Sequence, residues 1–254
     1  MEVHHHSHTE SPPAGRAGKK WTHYFWEFLM LFLAVFCGFL AEYQLEHVIE
    51  KNREKQFIES MVEDLITDTI ELKRAINITE RIGRYSDSVL YFLVSYQVSD
   101  SIPSRLASII GIGGQRLDLI NTDRTSSQLK NSGAMRLIRK KNVSDSILTY
   151  WKQIEVTQIT IDRYIIYHGE ARSLLFKLWV IPDVYRSGMK ISDDSLKFLR
   201  VIDKDRKKWD ELANLMAISG TIAKNAHMRN LKSQLEKATN LISLIKKEYK
   251  IKSS

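Results

Sequence analysis

Residues 21–41 read WTHYFWEFLMLFLAVFCGFLA and form a long apolar run near the start of the chain. At a helical rise of about 1.5 Å per residue, a helix of this length reaches about 31 Å, which is the thickness of a bilayer's hydrocarbon core. Trp21, Tyr24 and Trp26 stand in its first turns, and such amphipathic rings prefer the membrane–water interface. The run therefore predicts a transmembrane helix.

Glu27 is the acidic residue inside this run. It lies about one and a half turns after Trp21, which is shallow enough for its carboxylate to reach the headgroups or to be protonated. The alternative interpretation is that Glu27 makes a polar contact with a partner helix in the membrane.

Cleavage of the run as an export signal is not expected. A cut after Ala41 places Phe39 three residues before it, where a signal peptidase needs a small residue. A lipoprotein signal needs a small residue directly before Cys37, and Phe36 stands there. We therefore expect an uncleaved signal anchor.

The charges on the two sides of the run predict its orientation. Arg16, Lys19 and Lys20 precede it, whereas residues 42–49 contain no Lys or Arg and are acidic. By the positive-inside rule, we expect a single-pass membrane protein with a cytoplasmic N-terminus and with residues 42–254 on the other side of the membrane.

Residues 1–20 are expected to be a disordered tail with a broken histidine cluster, namely His4, His5, His6 and His8. Imidazoles bind nickel or zinc, but a flexible Pro- and Gly-containing tail does not preorganise a site. These histidines are weak metal candidates, and the sequence predicts no cofactor.

The rest of the chain favours long helices, because the 254 residues include only 11 Gly and 4 Pro. Two apolar patterns have the 4-3-4-3-4 spacing of a coiled coil. We name them by their ends: the N-terminal seam is Ile58, Val62, Leu65, Thr69, Leu72 and Ile76, and the C-terminal seam is Leu231, Leu235, Ala238, Ile242, Ile245 and Tyr249.

The predicted fold class is therefore all-α, with one N-terminal transmembrane helix followed by a long-helix bundle or coiled-coil-like domain. The anchor is expected to continue into the first domain helix with little break. Charged residues, including Glu54, Asp64 and Asp68, are assigned to the faces opposite the seam. The two seams pair with each other or with a second copy of the chain, and Leu235 and Ile242 are therefore candidate partner-binding residues.

The segment TSSQLKNSGAMRLIRKK, residues 125–141, separates two predicted helices. Gly133 is a plausible C-cap of the first helix. Asn142 or Ser144 is expected to cap the second, which should end before Pro182.

Several residues in and after this segment resemble an uncharacterised, Bacteroidetes-type family of single-pass bacterial membrane proteins with an SGxxRLI-like motif. The stretches MEVHHHSH, FLAVFCGFLAE and EKQFIESMVEDL also resemble it, so the likeness spans most of the chain. With the predicted orientation, the resemblance implies a bacterial inner membrane with residues 42–254 in the periplasm. It also implies a native histidine cluster and brings no activity with it. The matching positions are Thr125, Leu129, Ser132, Gly133, Arg136, Leu137, Ile138, Ile147, Tyr150 and Trp151.

The motif has a structural and a functional interpretation. In the structural one, Gly133 lets two helices meet while Leu137 and Ile138 fill the core. In the functional one, Arg136, Arg139 and Lys140 form a ligand or partner site, and these three are the candidates we carry forward.

Other segments carry weaker expectations. Residues 104–110 are assigned to a short helix and the GIGG of residues 111–114 to a turn. Residues 192–227 are interpreted as one helix, capped by Ser192 and broken near Gly220.

The formal net charge of +8 is concentrated in residues 196–254, which hold 14 Lys and Arg and 6 Asp and Glu. This pattern fits a solvated helical face or a patch for anionic lipids or an acidic partner. Nucleic acid is not expected, because no helix-turn-helix or aromatic–basic motif accompanies the charge.

Catalysis is not expected either. His47, His168 and His227 are far apart in the sequence, no catalytic motif accompanies them, and the single cysteine, Cys37, lies in the apolar run. The expected role is a structural or scaffold subunit that recruits a partner. The alternative is a sensor-like bundle that binds a ligand and signals through a partner protein.

Overall fold

A computed structural model describes residues 17–95, 97–103, 117–180 and 198–251, with the backbone alone for residues 17–20. The chain divides into two compact units, Met1–Arg53 and Glu54–Ser254, which we describe separately. The histidine cluster, the helix expected at 104–110, the GIGG turn and the cap at Ser192 lie outside the described residues.

Helices account for most of the described residues. They are α1 (Ala17–Ser95), α2 (Arg124–Asn131), α3 (Lys141–Leu178), α4 (Arg206–Thr221) and α5 (Met228–Tyr249), with a 3₁₀ helix at Ala134–Leu137 and a π-helical segment at Ile222–His227. Two short strands, β1 (Ser101–Pro103) and β2 (Phe198–Arg200), complete the described elements.

In the first unit, α1 carries the apolar run with its side chains unburied. Every side chain from Trp21 to Ala41 is exposed except that of Leu29, which is partly buried. Even large side chains such as Phe39 are left 70% exposed. Among the described residues, α1 contains the one stretch long and apolar enough to cross a membrane.

In the second unit, α1 buries one continuous face. Its buried positions recur every four and three residues over eleven successive steps, so a coiled-coil-like spacing extends well beyond the predicted seam. They are Glu54, Ile58, Met61, Leu65, Asp68, Leu72, Ala75, Thr79, Ile82, Ser86, Val89 and Leu93.

The two predicted seams meet in one core. Ile58 and Leu72 of α1 belong to the same cluster of buried side chains as Ile147 of α3 and Leu231 and Ile245 of α5. Of the two pairings left open by the sequence, the described structure shows the one within a single chain. The long-helix bundle is confirmed.

The all-α prediction is incomplete, because β1 and β2 pair as an antiparallel two-stranded sheet. Ile102 lies opposite Leu199, and both are fully buried beside Trp179 and Trp209 in a second core cluster. The helix expected through residues 198–200 is therefore wrong. Strands of three residues are too short to display a two-residue periodicity in the sequence.

The interruption of the regular α-helix that was expected near Gly220 is present, because α4 ends at Thr221 and a π-helical segment begins at Ile222. Helix α4 starts at Arg206, where Asp205 caps it by accepting a hydrogen bond from the Lys207 N–H, and it passes through the π-helical segment into α5. A Cβ at Gly220 would lie 2.8 Å from Cβ of Ser86. The glycine therefore permits a close approach of α4 to α1.

Candidate functional site

Three carboxylates on α1 are buried, contrary to their assignment to solvent-facing positions. Glu54 is 6% exposed, Asp64 5% and Asp68 1%. Glu54 and Asp68 occupy the buried 4-3 positions of α1, and Asp64 lies next to Leu65 on the same side. Burying an ionised carboxylate requires hydrogen bonds to compensate for the lost water, and each of the three has them.

Asp68 and Asp64 hold the chain just before and at the start of α2. Oδ1 of Asp68 accepts from the Thr122 N–H at 2.7 Å, and Oδ2 accepts from the Tyr150 hydroxyl at 2.6 Å. Oδ2 of Asp64 accepts from the Thr125 N–H at 3.0 Å, and Oδ1 accepts from the Arg124 guanidinium at 2.9 Å.

Glu54 holds the chain just before α3. Its Oε1 accepts from the Arg139 N–H at 2.8 Å and from the Tyr249 hydroxyl at 2.6 Å. Residues 122–139 are thus tied to α1 at three points, which we call the carboxylate anchors: Asp68, Asp64 and Glu54. Two of the anchored amides lie at or beside helix starts, where backbone N–H groups have no partner within the helix.

The pKa shifts at the anchors are consistent with groups that bind the backbone and do not indicate acid–base catalysis. Burial raises the pKa of Asp68, although the hydrogen bonds from Thr122 and Tyr150 act in the opposite direction. Burial, followed by the charge and hydrogen bond of Asp68, raises the pKa of Tyr150. Tyr150 therefore stays a hydrogen-bond donor at neutral pH.

A polar contact network continues from the anchors to α5. Nε2 of Gln234 donates to Oδ1 of Asn121 at 2.6 Å, just before the Thr122 amide that Asp68 holds. Within the described residues, Gln234 Oε1 and Thr125 Oγ1 are buried without a hydrogen-bond partner. The segment before α2 is thereby fixed to α1, α3 and α5.

The residues of the SGxxRLI-like motif serve this arrangement. Helix α2 ends at Asn131, and Gly133 follows with a φ of 66° in the left-handed region, which confirms its expected place at the end of the helix. Leu129 and Ile138 are buried in the main core, with Leu137 partly buried against it.

The expected caps of α3 are wrong. The helix starts at Lys141, preceded by Lys140 as its N-cap. Oδ1 of Asn142 accepts from the N–H of its neighbour Val143, and the Ser144 hydroxyl donates to the Lys141 carbonyl. Both side chains lie inside the first turn.

The predicted partner-binding residues fall into two groups in the second unit. Arg136, Arg139 and Lys140 are exposed where α3 begins, and Nζ of Lys140 lies 3.3 Å from Glu248 near the end of α5. Leu235 and Ile242 are partly buried and pack against the main core. The structure thus brings the basic candidates together and places the two apolar candidates within the fold.

Glu27 of the first unit is exposed, and its carboxylate lies 3.6 Å from Nε2 of His23, one turn earlier. This contact was not predicted from the sequence. The described residues contain no group of three or more His, Cys, Asp or Glu side chains able to hold a metal ion.

His227, one of the three histidines considered for catalysis, is a polar core residue, and its burial was not predicted from the sequence. It is 1% exposed, and its Nδ1 lies 3.0 Å from the Thr160 hydroxyl. Burial lowers its pKa to about 4, so the imidazole is neutral at physiological pH. His168 stacks instead on Tyr164, with ring centroids 5.1 Å apart.

Comparisons with protein-family models, with curated proteins and with solved structures found no match to this chain. The resemblance to a Bacteroidetes-type membrane-protein family therefore stays a prediction.

Proposed function

We propose that this protein is a non-catalytic scaffold subunit held in a bacterial inner membrane by one helix, with its helical domain in the periplasm, where it recruits a protein partner. The observation that carries the proposal is the exposure of the apolar run in α1. Side chains such as Phe28 and Leu31, at 66% and 68% exposure, find no core within their own unit, and a bilayer supplies the apolar surroundings that they lack.

The state of the buried polar groups supports a scaffold over an enzyme. The anchors bind backbone amides and tyrosine hydroxyls, and His227 faces a threonine hydroxyl within the bundle. These groups are engaged in holding the fold and are not presented on the surface to a substrate.

The sensor alternative has less support. A sensor of this class would bind its ligand between helices, and polar side chains there would face a cavity. In the described bundle, Thr157 and Thr160 instead donate to helix carbonyls, as Thr79 does on α1. The scaffold is therefore the function that we put forward.

Crosslinking in native membranes, followed by mass spectrometry, tests recruitment. We expect one protein to be captured repeatedly through residues of the 54–254 unit. A chain that crosslinks to no protein, or a purified chain that turns over a substrate, would contradict the scaffold role.

N-terminal sequencing of the membrane-extracted protein tests the anchor separately. We expect the mature protein to retain residues 21–41. A mature start near Glu42 would show that the run is a cleaved signal and would remove the basis of the proposal.

A further inference from the structure

The start of α3 and the end of α5 meet beside Glu54 of α1 at one end of the second unit. Oε1 of Glu54, at the start of this part of α1, binds both the Arg139 N–H before α3 and the Tyr249 hydroxyl at the end of α5. The Asn142 amide and the Lys140 ammonium both bind Glu248. These contacts place the start of α3 beside the end of α5.

This end of the bundle carries a concentration of positive charge, which we call the basic end. Two acidic residues of the junction do not cancel this charge outside the fold, because Glu54 is buried and Glu248 is paired with Lys140 and Asn142. The members of the basic end come from both sides of the junction: Arg136, Arg139, Lys140, Lys141, Lys246, Lys247 and Lys250.

At the opposite end of the unit, near β1 and the start of α4, many charged side chains form ion pairs with each other. Lys204 pairs with Asp100, Lys208 with Asp203, and Arg206 lies 2.8 Å from Asp210. The paired charges therefore distinguish this end of the unit from the basic end, where Arg136, Lys141 and Lys247 are exposed.

Helix stability accounts for only part of the basic end, because Lys246 and Lys247 stand in the last turn of α5, where the helix dipole favours positive charge. Lys140 and Lys141 stand at the N-terminus of α3, which has no acidic residue in its first turn. Positive charge is unfavourable there because the helix dipole is itself positive at that end. The positive field of these residues is instead suited to an external anion.

Chain connectivity indicates which anionic surface lies within reach. Twelve residues separate Ala41, the last residue of the apolar run, from Glu54. Even fully extended, a connection of this length spans only about 45 Å. The length of this connection therefore limits how far Glu54 can lie from a bilayer that holds residues 21–41.

We propose that the basic end binds the phosphate-containing headgroups of anionic phospholipids in the membrane that holds the anchor. The inference rests on the proposed anchoring and adds a lipid surface to it as a second ligand. Lys and Arg side chains near a charged bilayer gain electrostatic attraction that salt weakens, so binding should depend on both lipid charge and ionic strength.

Energy transfer in nanodiscs tests the proposal with the full-length chain. The changes Cys37→Ser and Ser243→Cys place a single donor dye on the exposed side of α5, and an acceptor is attached to the headgroup of a neutral lipid. We expect stronger transfer in phosphatidylcholine discs containing phosphatidylglycerol than in phosphatidylcholine alone, and loss of the difference in high salt.

Charge-reversal variants locate the surface. The triple change Arg136→Glu, Lys141→Glu and Lys247→Glu uses exposed side chains of the basic end, and we expect it to reduce transfer to its value in neutral lipid. The matched control, Arg81→Glu, Arg84→Glu and Lys232→Glu, makes the same change in net charge at exposed sites on α1 and α5. It should keep the lipid dependence.

Neutralisation covers the case in which the triple variant does not fold. Lys141→Gln with Lys247→Gln should weaken transfer in anionic discs while leaving the circular dichroism spectrum unchanged. If the wild-type chain inserts but transfers equally in both lipids, or if only the control set loses the dependence, the proposal is wrong. Such a result would instead favour an acidic protein as the ligand of the basic end. A chain that fails to insert into either disc would instead contradict the proposed anchor.

Discussion

At the scale of single residues, Gly133 shows where the motif depends on backbone conformation. Its φ of 66° is one that residues with a Cβ adopt at a cost of about 1 kcal/mol. We predict that Gly133→Ala lowers the free energy of unfolding by about 1 kcal/mol, measured by denaturant titration in detergent. The control Gly169→Ala lies inside helix α3 with open space around it and should raise that free energy by about 0.5–1 kcal/mol. Two losses of equal size would rule out the left-handed conformation as the cause.

Asp68 should make the free energy of unfolding depend on pH in a direction opposite to that of most carboxylates. Because burial raises its pKa in the folded state, the folded chain holds the proton more tightly than the unfolded chain does. The stabilisation from this proton is present at low pH and is lost as pH rises through the folded pKa. Asn at position 68 cannot ionise.

We therefore predict that the free energy of unfolding of wild type minus that of Asp68→Asn decreases as pH rises from about 3.9, the pKa of an unfolded Asp, and then levels off. Denaturant titrations across this range measure it. Glu155→Gln is the control, because the Lys152 side chain lowers the pKa of Glu155 and gives the opposite slope. A difference for Asp68→Asn that grows with pH would refute the prediction.

At the scale of elements, the π-helical segment Ile222–His227 places a neutral imidazole in the core. Because burial lowers the pKa of His227 to about 4, the unfolded chain takes up a proton first as pH falls below about 6.5. The stability contributed by the neutral form is complete above that pH. It is lost as pH falls towards 4.

We predict that wild type loses on the order of 3 kcal/mol of unfolding free energy between pH 6.5 and pH 4 through this residue, and that His227→Gln removes this loss. The same change at the partly buried His47, which lies outside the 54–254 unit, should leave the pH dependence in place. If the two variants respond to pH alike, the imidazole of His227 is not the group responsible.

The C-terminal seam now has a sharper test than the sequence allowed. Leu235 and Ile242 pack against the main core, so Leu235→Glu with Ile242→Glu should cost several kcal/mol by placing carboxylates in apolar surroundings. We predict loss of the folded domain in far-UV circular dichroism and thermal melting. The control Leu148→Glu with Ile159→Glu changes two side chains on α3 that are each 50% exposed, and it should remain folded. If the variant instead stays folded but no longer crosslinks to a partner protein, the C-terminal seam binds the partner and is not required for the fold.

The elements that were predictable are those whose pattern repeats. The 4-3 spacing of Ile58, Leu65 and Leu72 is local in sequence and identified the helices of the bundle. The carboxylate anchors were not predictable, because Glu54 and Asp68 bind chain segments 85 and 54 positions away. An acidic residue in a helix is ordinarily expected to face solvent. Only the distant amide to which each of these carboxylates binds explains its burial. The β1–β2 pair escaped for a similar reason, since Ile102 and Leu199 meet only in the tertiary structure.

At the scale of the whole molecule, the composition of the chain predicted its division into an apolar run and a helical domain. It did not predict the contacts between distant parts of that domain. The apolar run was recognisable from its length and composition, whereas the location of the basic candidates Arg136, Arg139 and Lys140 beside the end of α5 became apparent only from the contacts of Glu248 with Lys140 and Asn142. Sequence distance hid this location, because Lys140 and Glu248 belong to different helices. The charge excess counted in residues 196–254 is thus completed at the basic end by residues from outside that range.

Membrane anchoring of the whole molecule is tested by charges at the centre of the run. An Arg at the middle of a transmembrane helix costs about 2.5–3.5 kcal/mol on the insertion scale. We predict that Leu31→Arg with Val35→Arg, one turn apart, shifts the protein from the carbonate-resistant membrane fraction to the soluble or degraded fraction. Glu27→Gln is the control, because it removes a shallow charge and should leave the protein in the membrane. A double-Arg variant that resists carbonate extraction as well as wild type does would show that another part of the chain holds it there.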